Sequence, residues 1–187
     1  MKNLFISIII IPLLSCSGEK ANTDSTEQAE IQSINQVDIN GVKQGIWVEK
    51  VGSNIIDSMN FVDDKLNGIY KSYFTSGNLR HSGRYEHGVK LGTWSYFDTG
   101  VLVAEEIERG TNRDSVQHEL GYYLTPEYFS YVKLYNRQNG HLEQEGKLLY
   151  SDSWQSDTSN EQGRWIYYDN KGDTTDIKIF EYGRENK

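Results

Sequence analysis

Cysteine is almost absent from this sequence, because Cys16 is the one cysteine in 187 residues. A single cysteine excludes an internal disulfide framework, and it leaves the chain after position 16 without any thiol chemistry. Proline is scarce as well, with only Pro12 and Pro126. The part of the chain after Cys16 therefore has to fold without covalent crosslinks.

The sequence also lacks an apolar run long enough to span a bilayer. The longest run extends from Leu4 to Leu14, whereas a spanning helix needs about 20 apolar residues. This run follows the short, positively charged start Met1-Lys2-Asn3, an order typical of signal peptides. We expect residues 1–15 to be a signal peptide that is removed on export.

The residues that follow the run are Leu13-Leu14-Ser15-Cys16. This stretch resembles the lipobox of bacterial lipoproteins, and the resemblance implies cleavage before Cys16 and acylation of its thiol. Acyl chains would then hold the protein on the lipid bilayer without a transmembrane helix. The residue after the cysteine is Ser17 and not Asp. By similarity to proteobacterial lipoproteins, this favours localisation at the outer membrane. An ordinary secretory peptide and a buried thiol are the alternatives.

Basic residues are outnumbered by acidic ones, 19 to 27. Removal of residues 1–15 takes away one Lys, so the mature net charge is 18 − 27 = −9. Nucleic acids and anionic lipid surfaces attract basic proteins. We therefore expect no nucleic-acid partner.

Large apolar residues are missing from most of the stretch that follows Cys16. Between Ser17 and Gln36 only Ile31 and Ile34 are sizeable and apolar, too few to offset the entropy of ordering the chain. We interpret residues 16–37 as a disordered tether. Residues 38–187 are then one domain by length, and their abundant Tyr, Trp, Phe and Gly favour a β-rich structure.

The domain contains an internal repeat. Its landmark is a glycine followed two residues later by a large aromatic residue, and the first intervals between these glycines are 68 − 45 = 23 and 92 − 68 = 24 residues. The five copies are Gly45-Ile46-Trp47, Gly68-Ile69-Tyr70, Gly92-Thr93-Trp94, Gly121-Tyr122-Tyr123 and Gly163-Arg164-Trp165.

Each repeat is interpreted as a two-stranded hairpin. Trp94-Ser95-Tyr96 alternates at period two, which puts both rings on one face of a strand, and Trp165-Ile166-Tyr167 does the same. Residues 75–78 and 98–100 are the predicted turns, where glycine can adopt a positive φ. A hairpin of this size is not stable alone, so neighbouring copies have to bury one another's rings.

The repeat has the pattern Gly-x-Trp-x-x-Tyr/Phe-x-x-x-Gly-x-Leu, followed by Tyr-x-x-Gly-x-x-x-Gly. It resembles the MORN repeat in its bacterial variant form. The match is good over residues 41–110, recurs over 163–183 and is poor between, so we expect an irregular segment at about 111–130. The resemblance implies an all-β fold: an elongated, single-layer antiparallel meander of five to six hairpins with a remodelled middle.

No recognised catalytic or cofactor motif occurs. The four histidines, His81, His87, His118 and His141, form none of the short pairs that zinc sites use. Neither a Gly-x-Ser-x-Gly elbow nor a glycine-rich phosphate loop is present. We predict no metal site and no cofactor.

Acidic clusters are the remaining candidates for catalysis, since paired carboxylates about 5–10 Å apart can cleave glycosidic bonds. Exposed glutamates that keep an open sheet soluble explain the same pattern better, so we predict no catalytic residues and no enzyme. The clusters are Asp63-Asp64, Glu105-Glu106 with Glu108, and Glu143 with Glu145.

The large aromatic residues of the repeats, which would form a row across the sheet, admit two interpretations. Flat rings suit sugars and extended peptides, but in a sheet of one layer the same rings must also form the core. The outer edges of a packed row can still be a recognition surface. The candidate binding residues are Trp47, Tyr70, Trp94, Tyr96, Trp165 and Tyr167.

These observations favour a non-enzymatic scaffold or binding module of the cell envelope, with an envelope protein or glycan as its partner. The resemblance also suggests an antitoxin-like protein. A protein that neutralises a toxin usually acts in the cytoplasm, so the predicted export signal argues against this alternative. An envelope enzyme that acts on polysaccharide through the acidic clusters is the third hypothesis.

The lipobox leads to a direct test. Replacement of Cys16 by Ser should abolish incorporation of radiolabelled palmitate and release the protein from the membrane fraction, because no other thiol can be acylated. The control is Ser17→Ala, which should remain labelled and membrane-bound. Equal labelling of the Cys16→Ser variant would contradict the assignment.

Overall fold

The computed structural model describes residues 33–113, 115–117, 123–157 and 159–186. The predicted signal peptide, Cys16 and the tether as far as residue 32 lie outside the described residues. The described residues form 15 strands: β1 Gln36–Val37, β2 Lys43–Val51, β3 Asn54–Val62, β4 Lys65–Leu66, β5 Gly68–Tyr73, β6 Leu79–Glu86, β7 Val89–Asp98, β8 Val101–Thr111, β9 Val116–Gln117, β10 Tyr123–Leu124, β11 Tyr128–Tyr135, β12 Leu142–Tyr150, β13 Asn160–Tyr168, β14 Thr174–Glu181 and β15 Arg184–Glu185.

Thirteen of the strands form one antiparallel sheet in which neighbours in space are also neighbours along the chain. The order is β1-β2-β3-β5-β6-β7-β8-β11-β12-β13-β14-β15, with β4 paired to β3. This confirms the predicted all-β antiparallel meander. Within the described ranges the chain forms no helix that could cross a bilayer. The sheet begins at β1, inside the last residues of the predicted tether.

The described sheet contains five principal hairpins: β2–β3, β5–β6, β7–β8, β11–β12 and β13–β14. The predicted turns lie between β5 and β6 and between β7 and β8. In the second of these turns Thr99 and Gly100 have φ values of 48° and 90°, which suits a tight two-residue hairpin turn. The link from β6 to β7 is equally tight, since His87 and Gly88 also have positive φ.

A bulge brings tryptophan and glycine together between β6 and β7. The pairing skips at Gly83, so that this one residue lies opposite Gly92, Thr93 and Trp94. Gly92 has a φ of 61°, which lets the strand bulge without steric cost. The indole of Trp94 covers Gly83, where a Cβ would overlap the ring.

The same arrangement recurs between β12 and β13. Gly146 lies opposite residues 163–165, Gly163 has a φ of 68°, and the indole of Trp165 covers Gly146. Here the indole nitrogen donates a hydrogen bond to the Lys147 carbonyl at 3.1 Å. The repeated tryptophan therefore needs a glycine on the preceding strand as well as the glycine two residues before it.

The irregular part of the chain leaves the sheet between β8 and β11. These two strands pair directly, from Thr111 opposite Tyr128 onwards. The intervening excursion carries the small β9–β10 sheet. It is closed by Asn112, whose Nδ2 donates to the Pro126 carbonyl at 2.9 Å. Gly121 and Tyr122, at the start of the predicted fourth repeat, lie outside the described residues.

Two apolar clusters lie on the tryptophan face of the sheet. The first contains Trp94, Tyr96 and Ala104, and the second contains Val132, Leu148 and Trp165. Leu134 and Trp154 pack against both clusters. Because no described part of the chain forms a second layer at this face, these ring contacts take the place of a conventional core.

The tryptophan-on-glycine contact predicts two sensitive glycines. Gly83→Ala and Gly146→Ala should each lower the free energy of unfolding by about 1–3 kcal/mol, because the new methyl group displaces an indole. Ser82→Ala is the control and should change stability by less than about 0.5 kcal/mol. Urea unfolding measures all three. Alanine tolerated at both glycines would show that the rings do not depend on this contact.

Candidate ligand-binding site

The connection between β12 and β13 is much longer than the links beside it, and it carries a tryptophan. Trp154 lies edge-on against Tyr96 of β7, with 5.0 Å between ring centroids and 82° between ring planes. A cavity of about 310 Å³ lies between this connection and the tryptophan face of the sheet. The connection thus forms one wall of the candidate site.

Aromatic rings dominate the walls of the cavity. Tyr70 stacks on His81 with 5.7 Å between centroids, and Tyr85 meets Trp94 edge-on at 5.0 Å. Because hairpin strands place side chains of alternate residues on one face, four adjacent strands contribute to one continuous surface. The rings that line the cavity are Tyr70, Tyr85, Trp94, Tyr96, Tyr150 and Trp154.

Trp94 is the most enclosed of these rings, with 1% of its surface exposed. The indole covers Gly83, and Lys90 Nζ lies 4.4 Å from the ring centroid. Such a cation–π contact contributes about 0.5–2 kcal/mol. The indole nitrogen of Trp94 has no hydrogen-bond partner within the described chain, unlike that of Trp165.

The floor of the cavity is built around a buried carboxylate. Glu106 of β8 is 1% exposed and lies beside Trp94 in the neighbouring strand. Ser130 Oγ donates to Glu106 Oε1 at 2.6 Å, and the Tyr96 hydroxyl donates to Oε2 at 3.2 Å. Lys90 Nζ lies 3.5 Å from Oε2, and Arg109 Nε lies 3.2 Å from Oε1. A buried carboxylate needs such partners to offset its desolvation.

These contacts set the charge state of the floor. Burial acts to raise the pKa of Glu106, but the Ser130 hydrogen bond and the ion pairs with Lys90 and Arg109 outweigh it, so the pKa lies below its ordinary value of 4.5. Burial, with the Glu106 carboxylate, raises the pKa of Tyr96, whose hydroxyl therefore remains a donor. Burial also lowers the pKa of His81, which leaves its imidazole neutral at pH 7.

The structure distributes the six candidate aromatic residues over three places. Tyr70, Trp94 and Tyr96 come together at the cavity. Trp165 and Tyr167 belong to the second apolar cluster, where Trp165 is 1% exposed. Trp47 lies in the first hairpin, edge-on against Phe61 at 5.8 Å.

The acidic candidates do not gather at one point. Glu105 and Glu106 are adjacent in β8 and so point to opposite faces of the sheet. Glu105 accepts a hydrogen bond from the Tyr135 hydroxyl at 2.6 Å, and Glu145 accepts one from Tyr168 at 2.7 Å.

The other acidic candidates have structural contacts. Asp64 accepts a hydrogen bond from the backbone of Lys43 at 2.8 Å, and Asp63 accepts one from the side chain of Gln44 at 2.7 Å. Glu143 accepts a hydrogen bond from the Asn136 amide at 2.6 Å. These contacts stabilise turns and neighbouring strands. Among the described residues no three metal-ligating side chains converge, and His118 lies outside them.

Ten of the thirteen residues that line the cavity were not among the predicted binding residues. Lys90, Arg109 and Glu106 meet only when β7 and β8 pair, so no local pattern identifies them as a set. Trp154 could have been identified from the sequence, because it is the one tryptophan outside the repeat register. Lys90 could have been identified as well. It precedes Trp94 by four residues, just as Lys43 precedes Trp47, and Lys43 also lies over the ring of its tryptophan.

Comparison with known proteins adds no family to this description. No protein-family model matches the chain, and no curated protein sequence matches it.

The Glu106 network predicts a dependence of stability on pH. Because the folded state lowers the pKa of Glu106 from 4.5, its contribution is fully present above that value and is lost as pH falls through the folded pKa. Glu106→Gln should cost about 2–4 kcal/mol at pH 7, and the difference from wild type should shrink at acidic pH. Urea unfolding between pH 7 and pH 3 measures both effects.

Ser130→Ala provides the matched control for this prediction. It removes the 2.6 Å hydrogen bond but keeps the carboxylate, so the folded-state pKa should be lowered less, and the acid-side loss of stability should be smaller than in wild type and complete at a higher pH. An acid-side profile of Glu106→Gln that runs parallel to that of wild type would refute the assigned role of Glu106.

Proposed function

We propose that this protein is a non-enzymatic recognition module of the cell envelope, anchored through acylated Cys16, which binds a saccharide in the cavity beside Trp154. The observation that carries the proposal is the cavity itself, where aromatic rings and charged side chains meet between the sheet and the β12–β13 connection. Concave sites that combine apolar walls with a few polar groups are the usual form of small-ligand sites.

Saccharides match the composition of these walls. The C–H face of a sugar ring packs on an aromatic ring, while its hydroxyl groups exchange hydrogen bonds with nearby polar side chains. Tyr85, Tyr150 and Trp154 are each only partly buried, so their rings retain surface for such contacts. A volume of about 310 Å³ is at the lower end for ligand sites. This favours the end of a glycan chain over a folded protein.

The charge state of Glu106 favours binding over hydrolysis. A general acid that cleaves glycosidic bonds needs a raised pKa, so that the carboxyl keeps its proton near neutral pH. The pKa of Glu106 is lowered instead, because its hydrogen bond and ion pairs outweigh burial. The neighbouring Glu105 lies on the other face of the strand and cannot form a catalytic pair with it.

The predicted lipid anchor would hold the binding domain at a membrane. An acylated Cys16 and the tether predicted for residues 16–37 would restrict the domain to the neighbourhood of a membrane, which raises the effective concentration of any partner fixed in the same envelope. A module of modest affinity can work under these conditions without an enzymatic activity of its own.

The test uses the full-length acylated protein in detergent and an immobilised panel of neutral and acidic envelope-type oligosaccharides. Wild type should bind at least one member, and Trp154→Ala should weaken that binding about tenfold or more. A nucleobase stacked on an aromatic side chain contributes about 1–3 kcal/mol, and we expect a sugar ring on Trp154 to contribute a similar amount. The acylated protein begins at Cys16, after removal of residues 1–15; surface plasmon resonance measures its affinities, and circular dichroism checks the fold.

Trp47→Ala is the matched control, because it removes a tryptophan of the same sheet that does not line the cavity. It should bind like wild type. Trp154→Phe, which keeps an aromatic ring, should retain most of the affinity. Failure of wild type to bind any oligosaccharide would overturn the proposed function, and so would equal binding by Trp154→Ala.

A further inference from the structure

Two buried hydrogen-bond donors in the wall of the cavity have no partner. They are Trp94 Nε1 and Arg109 Nε, and in the described part of the chain no other buried side-chain nitrogen or oxygen is left in this state. Arg109 Nε lies near Glu106 Oε1, but without the geometry of a hydrogen bond. Buried donors of this kind cost free energy unless an acceptor reaches them. Arg109 Nε still has the Glu106 carboxylate at 3.2 Å as its ion-pair partner, whereas Trp94 Nε1 has no acceptor within the described residues.

Positive charge is also in excess at the floor. Lys90 and Arg109 face the single carboxylate of Glu106, so two cations meet one anion. The Glu106 side chain is 2% exposed, whereas those of Lys90 and Arg109 are 33% and 20% exposed. A ligand in the cavity therefore meets the cations and not the carboxylate.

Asp152 also lines the cavity, so the whole lining carries two cations and two carboxylates, and the excess of positive charge is local to the floor. Asp152 is exposed in the β12–β13 connection, where its Oδ1 accepts hydrogen bonds from the Ser153 amide and the Ser156 hydroxyl. The imidazole of His81 is neutral at pH 7, because burial lowers its pKa. The tyrosines contribute hydroxyl groups without charge.

We infer that the saccharide bound in this cavity carries one carboxylate, as uronic acids do, and that Lys90 and Arg109 select it. This inference rests on the proposed function and specifies its ligand class. A ligand carboxylate can form ion pairs with the exposed ends of Lys90 and Arg109, and its single negative charge compensates the one excess cation at the floor. The sugar ring packs against Tyr85 and Trp154 at the cavity walls.

A phosphate monoester fits this site less well. It carries about 1.5 to 2 negative charges at pH 7, which would leave uncompensated negative charge beside the buried Glu106. Arginine and lysine bind both groups, so the charge balance decides between them. A phosphorylated sugar is therefore an explicit arm of the test.

The first hairpin supplies a natural control for Lys90. Lys43 occupies the same position four residues before a tryptophan, and its Nζ lies 4.6 Å from the Trp47 ring centroid, against 4.4 Å for Lys90 and Trp94. Lys43 does not line the cavity. Any effect that depends only on the lysine–tryptophan contact will therefore appear in both positions.

The experiment titrates the full-length acylated protein in detergent with uronic acid oligosaccharides of three linkages. Each is paired with its methyl ester, its neutral counterpart and its phosphorylated counterpart, and isothermal calorimetry gives the affinities. At least one acid should bind about tenfold tighter than its methyl ester. Acetate at the same carboxylate concentration should not displace it, because acetate lacks the sugar ring.

The variants identify the selecting residue. Lys90→Gln should weaken binding of the acid about tenfold more than binding of its methyl ester, so that most of the preference for the acid is lost. Lys90→Arg should retain the preference, and Lys43→Gln should behave like wild type. The comparison of acid with ester is made within each variant, so a modest loss of stability does not imitate the expected result.

The possible outcomes distinguish failure of the carboxylate inference from failure of the proposed saccharide binding. Equal binding of acid and ester, tighter binding of the phosphorylated sugar, full competition by acetate, or a preference unchanged in Lys90→Gln would each overturn the carboxylate inference and leave saccharide recognition standing. Absence of binding to every acid, ester, neutral and phosphorylated sugar would overturn the proposed function, and the inference with it.

Discussion

The contact of a tryptophan ring with a glycine on the preceding strand is the constraint on which the rest of this structure depends. A sheet without a second layer buries little apolar surface by itself, so large rings have to cover the backbone of their own sheet. Gly83 and Gly146 make room for this, because a side chain at either position would overlap an indole. The bulges at Gly92 and Gly163 then place Trp94 and Trp165 over them.

This packing explains why the candidate site lies where it does. The rings that form the core are enclosed, but the longer connection after β12 places Trp154 against both apolar clusters. A space remains beside it, lined by partly buried rings and by the ends of charged side chains. The proposed ligand cavity and the packed core thus share one face of the sheet, and the cavity lies at the rim of the packed rings.

The buried Glu106 connects stability to recognition. Its carboxylate is stabilised by Ser130, Lys90 and Arg109, and the same two cations line the cavity. The interactions that lower the pKa of Glu106 make it a poor proton donor, and under the proposed function the two cations that provide them also face the ligand. A carboxylate that resembled a catalytic candidate in the sequence is therefore better understood as the group that orients two cations.

The repeat of glycine and aromatic residues, read from the sequence alone, determined the all-β meander, its hairpin turns and the common face of Trp94 and Tyr96, because strand alternation and positive-φ glycines are local properties. It did not determine which of the six aromatic candidates meet at one cavity. Only the tertiary structure decided that Glu106 and its cations, drawn from neighbouring strands, lie beneath Trp154 from a distant connection. Such a site depends on strand register and on where a long connection packs, and neither is encoded in local spacing.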